Sequence, residues 1–108
     1  MIWGWKEINR VYKILKALDS NGELTTNKLH SITKIPKSTL CDYLQMLKEA
    51  GMIERYEKTD IPYIFKKPIA SRITERGKRL LKLMEEFIPL WREVVKQSPY
   101  GSILVSET

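Results

Sequence analysis

One stretch constrains this chain more than any other: IPKSTLCDYLQMLKEAGMI, from Ile35 to Ile53. Pro36 suits the first position of a helix, where its missing N–H has no partner to lose, and Ser38 and Thr39 follow in the first turn. Leu40, Leu44 and Leu47 recur at i, i+4 and i+7, which makes one apolar face at the helical period. Gly51 falls just past the last periodic residue, where a left-handed C-terminal cap favours glycine, and Met52 and Ile53 then turn back to the core. The opposite face carries Lys37, Ser38, Thr39, Cys41, Asp42 and Gln45, mostly short polar side chains gathered at the N-terminal end. A helix that enters a DNA major groove N-terminus first needs such a leading edge and such a back. A plain amphipathic helix with a solvated face needs only the back.

The neighbouring segments decide between these readings. Trp5 to Leu18 forms an earlier helix, with Ile8, Val11, Tyr12, Leu15 and Leu18 on one stripe, and Asp19-Ser20-Asn21-Gly22 ends it. Trp3 and Trp5, so close to a terminus, are expected to cover a core edge or a subunit contact. Glu23-Leu24-Thr25 fits a very short strand, and Thr25 or Thr26 caps a short helix that turns Leu29 and Ile32 inward. Thr33-Lys34-Ile35 is the turn into the central helix, so the spacing is that of a helix–turn–helix. After Gly51 the pattern becomes β-like: Ile53 to Lys58, a turn at Thr59-Asp60-Ile61-Pro62, then Tyr63 to Lys67, together a hairpin. Arg55, Lys58, Lys66 and Lys67 lie on or near it, and Pro68 and Ala70-Ser71-Arg72 lead out of it. Cations there suit gripping phosphates in a neighbouring groove, or simply keep a strand edge from pairing with other chains.

Thr74 caps the last helix, and Glu75 in its first turn suits the helix dipole. Leu80, Met84, Phe87, Trp91 and Val94 follow at alternating steps of four and three, and Leu81, Ile88 and Val95 widen the stripe. A heptad held this long implies packing against another helix, and Pro89 is expected to kink or briefly break it near Glu85–Ile88.

At 108 residues the chain reads as one domain, 1–108: helix-turn-helix at about 25–50, wing at about 53–73, dimer helix at about 74–97 and a tail at 98–108. The fold class is mainly α with a small β-hairpin, α+β. The formal net charge of +6 favours an acidic partner, nucleic acid first. Cys41 is the single cysteine, so no intrachain disulfide can form, and no apolar run is long enough to span a bilayer. A cytoplasmic protein is expected. His30 is the lone histidine, better placed as a half-exposed helix residue than as a metal ligand. No phosphate-binding glycine loop, ligand cluster or nucleophile–base set is visible, and Cys41 with His30 makes a poor dyad, so neither catalysis nor a cofactor is expected. Cys41 reads as a small, semi-buried filler or as a redox-sensitive thiol.

The order helix, helix, turn, helix, hairpin, helix resembles the winged helix–turn–helix regulators of the MarR, PadR and ArsR kind. IPKSTLCDYLQMLKEAGMIER is similar to their recognition helix running into the first wing strand, Ile53 to Lys67 to their wing, and ITERGKRLL to their "L-T-x-x-G" entry into the following helix. The resemblance implies a homodimer on double-stranded DNA. Groove contacts then fall to Lys37, Ser38, Thr39, Cys41, Asp42 and Gln45, and wing contacts to Arg55, Lys58, Lys66, Lys67 and Arg72. Asp42 departs from the family, which often has a basic residue there; it could accept from a cytosine amino group or pair with Lys34 or Lys37. The dimer would form on Trp3, Trp5, Leu80, Met84, Phe87, Trp91 and Val94. The expected function is sequence-specific DNA binding by a transcriptional regulator. The alternative is a winged-helix module that docks on protein within a nucleic-acid-processing assembly. A recognition face and wing that read as net basic favour the first.

Overall fold

A computed structural model describes residues 4–58 and 68–97. Seven elements follow in order: α1 (Trp5–Asn21), β1 (Glu23–Thr25), α2 (Thr26–Thr33), α3 (Lys37–Glu49), β2 (Ile53–Glu57), β3 (Ile69–Ile73) and α4 (Glu75–Gln97). The strands form one antiparallel sheet in the order β1-β3-β2, so the last strand is the central one.

α1 opens at Gly4, whose N–H donates to the Glu7 carboxylate at 2.9 Å. It runs three residues beyond Leu18, through the expected turn, and Gly22 closes it at φ 81° with its N–H on the Leu18 carbonyl. Thr25 caps α2 by accepting from the Lys28 N–H. The inward residues of α2 are Leu29 and Thr33, one turn apart; Thr33 Oγ1 donates back to the Leu29 carbonyl at 2.7 Å. Ile32 is instead 49% exposed, since in so short a helix the stripe through Leu29 and Thr33 leaves it on the flank.

The α2–α3 turn is held locally. Lys34 takes φ 62°, and His30 Nδ1 lies 2.7 Å from the Ile35 carbonyl oxygen. A carbonyl oxygen only accepts, so Nδ1 carries the proton. Pro36 serves as the N-cap rather than the first helical residue, its carbonyl accepting from Leu40 N–H. Leu40, Tyr43, Leu44 and Leu47 bury the back of α3, and Gly51 turns the chain out at φ 80°.

The wing stem differs from the hairpin read in the sequence. Ile53–Glu57 is a strand as expected, but its partner is Ile69–Ile73, in the register Ile53↔Ile73, Arg55↔Ser71 and Glu57↔Ile69. The expected strand Tyr63–Lys67 lies outside the described residues. β3 also pairs with β1 on its other side, so Ala70 and Ser71 are fully buried between two neighbours. Small residues fit such a place, and they lack the β-branched signature by which a strand is recognised.

Thr74 joins the sheet to α4. Its hydroxyl accepts from the Gly77 N–H at 3.1 Å and donates to the Gly51 carbonyl at 2.7 Å, while its own N–H donates to the Met52 carbonyl. α4 then continues through Pro89 without a break. Its heptad stripe splits into two. Leu81, Met84, Ile88 and Val95 are buried in the chain's own core or against its helices, whereas Leu83, Phe87, Leu90, Trp91 and Val94 are 38–64% exposed. Trp5 and Met84, expected in a dimer contact, are each 8% exposed within the chain itself, with the Arg92 guanidinium 5.8 Å from the Trp5 ring centroid. Leu80 is half-buried against the same core, and Trp3 lies outside the described residues.

Candidate nucleic-acid interface

The four buried residues of α3 fix which side chains it presents outward. Lys37, Ser38, Cys41, Asp42 and Gln45 are exposed, and Thr39 is half-buried. Cys41 is therefore not the semi-buried filler considered from the sequence. Gln45 donates to the Glu49 carboxylate at 3.1 Å, an exposed i, i+4 bond it would have to release to reach a base edge. Asp42 makes no ion pair with Lys34 or Lys37 among the described residues.

The charges on this face are segregated. Lys37, Cys41 and Lys48 share the stripe nearest the wing stem, spaced by four and seven, whereas Asp42 and Glu49 share the far flank, also seven apart. Two cations against two acids leave this face balanced by itself, so the net basic reading of face and wing together rests on the wing. Lys48 and Glu49 escaped that reading because they lie in the last turn, away from the polar N-terminal cluster.

The wing stem sorts its cations in the same way. Across the ladder Arg72 faces Glu23 on one side and Glu54 on the other, and its guanidinium meets the Glu54 carboxylate at 2.6 Å. The same guanidinium lies 5.6 Å from the Tyr56 ring centroid. Lys58 meets Glu23 at 2.6 Å, and Tyr56 donates its hydroxyl to that same carboxylate. Lys58, and Tyr56 after it, hold the Glu23 carboxyl below its ordinary pKa; burial and the Glu23 bond raise Tyr56; Glu54 raises Arg72. Two of the cations assigned to DNA are thus engaged by carboxylates. Arg55, one residue from Glu54 along β2 and so on the other face, is not: its Nε is buried with no hydrogen-bond partner among the described residues. Lys66 and Lys67 lie outside the described residues.

Residues 9–69 match the family described as the sugar-specific transcriptional regulator TrmB. The chain belongs to the TrmB family. That family is one of transcriptional regulators, and the matched span runs from α1 through the first residue of β3, taking in all of α3. No curated protein matches the chain in sequence. Among solved structures, Sso10a-2, a DNA-binding protein from Sulfolobus solfataricus, is similar at TM-score 0.69 and 22% identity, over 95% of this chain and 97% of that one. The PcaV transcriptional regulator from Streptomyces coelicolor, solved with its natural ligand, gives TM-score 0.69 and 18% identity over 78% of this chain and 57% of its own. A mutant MarR from E. coli, solved with operator DNA, gives TM-score 0.64 and 17% identity over 90% of this chain and 68% of that one. At such identities the likeness is one of fold, the winged helix. The TrmB-family chain spans little more than half the length of the PcaV regulator. No helix among the described residues is long and apolar enough to cross a membrane, and no group of metal-ligating side chains occurs among them.

Proposed function

We propose that this TrmB-family chain binds an operator as a homodimer, with α3 of each protomer in a major groove and the wing on the flanking backbone or minor groove. The observation that carries the reading is the exposed polar edge of α3, held outward by Leu40, Tyr43, Leu44 and Leu47. Ser38, Thr39 and Gln45 supply the hydroxyl and amide groups that read base edges, and Lys37 supplies charge at the helix start. Cys41 lies beside them, and Asp42, free of any cation on its own helix, accepts from a cytosine amino group. Lys66, Lys67 and Arg55 contact phosphate from the wing. The acidic flank of Asp42 and Glu49 keeps the backbone to the wing side of α3. In a two-fold dimer the two α3 helices would sit about one DNA turn apart, roughly 34 Å, over an inverted repeat.

The test is fluorescence anisotropy on the chain's own upstream DNA and on a random duplex, at two salt concentrations. Gln45→Ala should weaken the specific site by about 1–3 kcal/mol and the random duplex far less, with an unchanged melting curve. Equal loss on both DNAs would remove α3 from the reader's role. A winged helix that docks only on protein would show no salt-dependent duplex binding at all.

A further inference from the structure

Between α3 and the wing stem runs a cleft with a cation at its centre. At one end a cavity of about 370 Å³ is lined by Thr25, Thr26, Cys41, Arg55 and Ile69, among others. At the other a cavity of about 320 Å³ is lined by Lys48, Arg55, Tyr56 and Glu57, with Ile69. Arg55 belongs to both, and its Nε is buried without a partner. The residue directly opposite it in the ladder, Ser71, is fully buried and its hydroxyl also has no hydrogen-bond partner among the described residues, so the two are not bonded to each other. A buried donor left open is costly, and a guanidinium more so than a neutral group. The other stem cations are satisfied, Arg72 by Glu54 and Lys58 by Glu23.

We propose that this cleft is a seat for one phosphate oxyanion, with Arg55 as its donor and Lys48 as a second charge at the mouth. A planar guanidinium that keeps its donors open matches a phosphate oxygen pair. The inference rests on the DNA-binding reading above for its source: the occupant is a backbone phosphate where the strand leaves the groove read by α3 and passes to the one flanked by the wing. It also divides the wing stem into a working cation, Arg55, and two bracing ones, Lys58 and Arg72.

Anisotropy titrations of wild type, Arg55→Gln, Arg55→Lys, Lys58→Gln and Arg72→Gln on a specific and a random duplex test the division. Arg55→Gln should weaken both duplexes alike, by about tenfold, the size of one charge-assisted contact. It should also lower the slope of log affinity against log salt by about 1. Arg55→Lys should recover part of the loss, and Lys58→Gln and Arg72→Gln should stay within about twofold of wild type. An unaffected Arg55→Gln, a loss confined to one sequence, or equal losses at Arg55 and Arg72 would each overturn the proposal. Should the glutamine variant fail to fold, the lysine variant and the wild-type Arg55 Nε–H signal in NMR carry the test. That signal also separates the sources. If wild type binds no duplex, the DNA reading fails; a shift with millimolar inorganic phosphate, against chloride at equal ionic strength, would then uphold the seat for a free phosphate. No shift there would sink the seat as well.

Discussion

At the residue scale, Gly77 shows why a short motif carries information. A Cβ there would stand 2.1 Å from the Met52 carbonyl oxygen and 2.8 Å from Ile73 Cγ1. The first neighbour is backbone of the turn between α3 and β2, so it cannot swing aside. Thr74 ties the same turn through Gly51 and Met52, and together the two residues hold the start of α4 against the exit of α3. Gly77→Ala should therefore destabilise the fold by about 1–3 kcal/mol or more, an overpacking cost that outweighs alanine's better helix propensity. A chemical denaturation curve measures it, and a neutral result would mean that the approach is looser than described. The threonine cap was legible in the sequence as a helix start; the reason for the glycine was not, because the contact that demands it comes from a segment 25 positions earlier. The pairing of Arg72 with Glu54 was hidden for the same reason. Sequence shows which side chains carry charge, and only the assembled sheet shows which charges are already spent on each other.

At the scale of elements, periodic segments were read well and the central strand was missed. α1, α3 and α4 each have a continuous apolar stripe over many residues. β3 has five residues, two of them small and fully buried, beside the more strand-like run Tyr63–Lys67. Its identity depends on partners distant in sequence, which local pattern cannot show. The ionic ladder over that sheet has a pH signature. Glu23 has a folded pKa below its ordinary value, caused first by Lys58 and then by Tyr56. A lowered carboxyl pKa stabilises the fold above the unfolded value, and that contribution is lost as pH falls through the folded one. Melting temperature should thus drop between about pH 5 and pH 3, and Glu23→Gln should shrink the drop. An identical acid dependence in both proteins would show that the ladder adds nothing. α4 gives a prediction of its own. Pro89 sits inside an unbroken helix, is exposed, and lacks the N–H that would bond the Glu85 carbonyl. Pro89→Ala should raise stability by about 1–3 kcal/mol in the same denaturation assay. A decrease would mean that a proline-set bend positions the second half of α4.

At the scale of the whole molecule, α4 carries two heptad stripes rather than the single broad one read from sequence. The inner stripe, Leu81, Met84, Ile88 and Val95, is used by the chain itself. The outer one, Leu83, Phe87, Leu90 and Val94, advances by four, three and four and stays exposed, with Trp91 stacked on Phe87 at 5.9 Å between centroids. A helix that is apolar on two sides has two partners, and only one lies among the described residues of this chain. The long axis of 55 Å, against about 25 Å across, suits a helix that reaches past the compact body to meet a second copy. The dimer proposed above then follows from α4 alone, without the tryptophan at the start of α1. Leu90, the most exposed member at 64%, makes the decisive substitution. Leu90→Glu places two carboxylates at the centre of the seam in a dimer but only one in water in a monomer. Sedimentation should show wild type as a dimer at micromolar concentration and the variant as a monomer. The variant's affinity for an inverted repeat should fall toward that for a single half-site, because two weak contacts no longer act as one. A wild-type monomer would refute the seam directly. A Leu90→Glu protein that stays dimeric would move the contact elsewhere and leave the outer stripe of α4 to another partner.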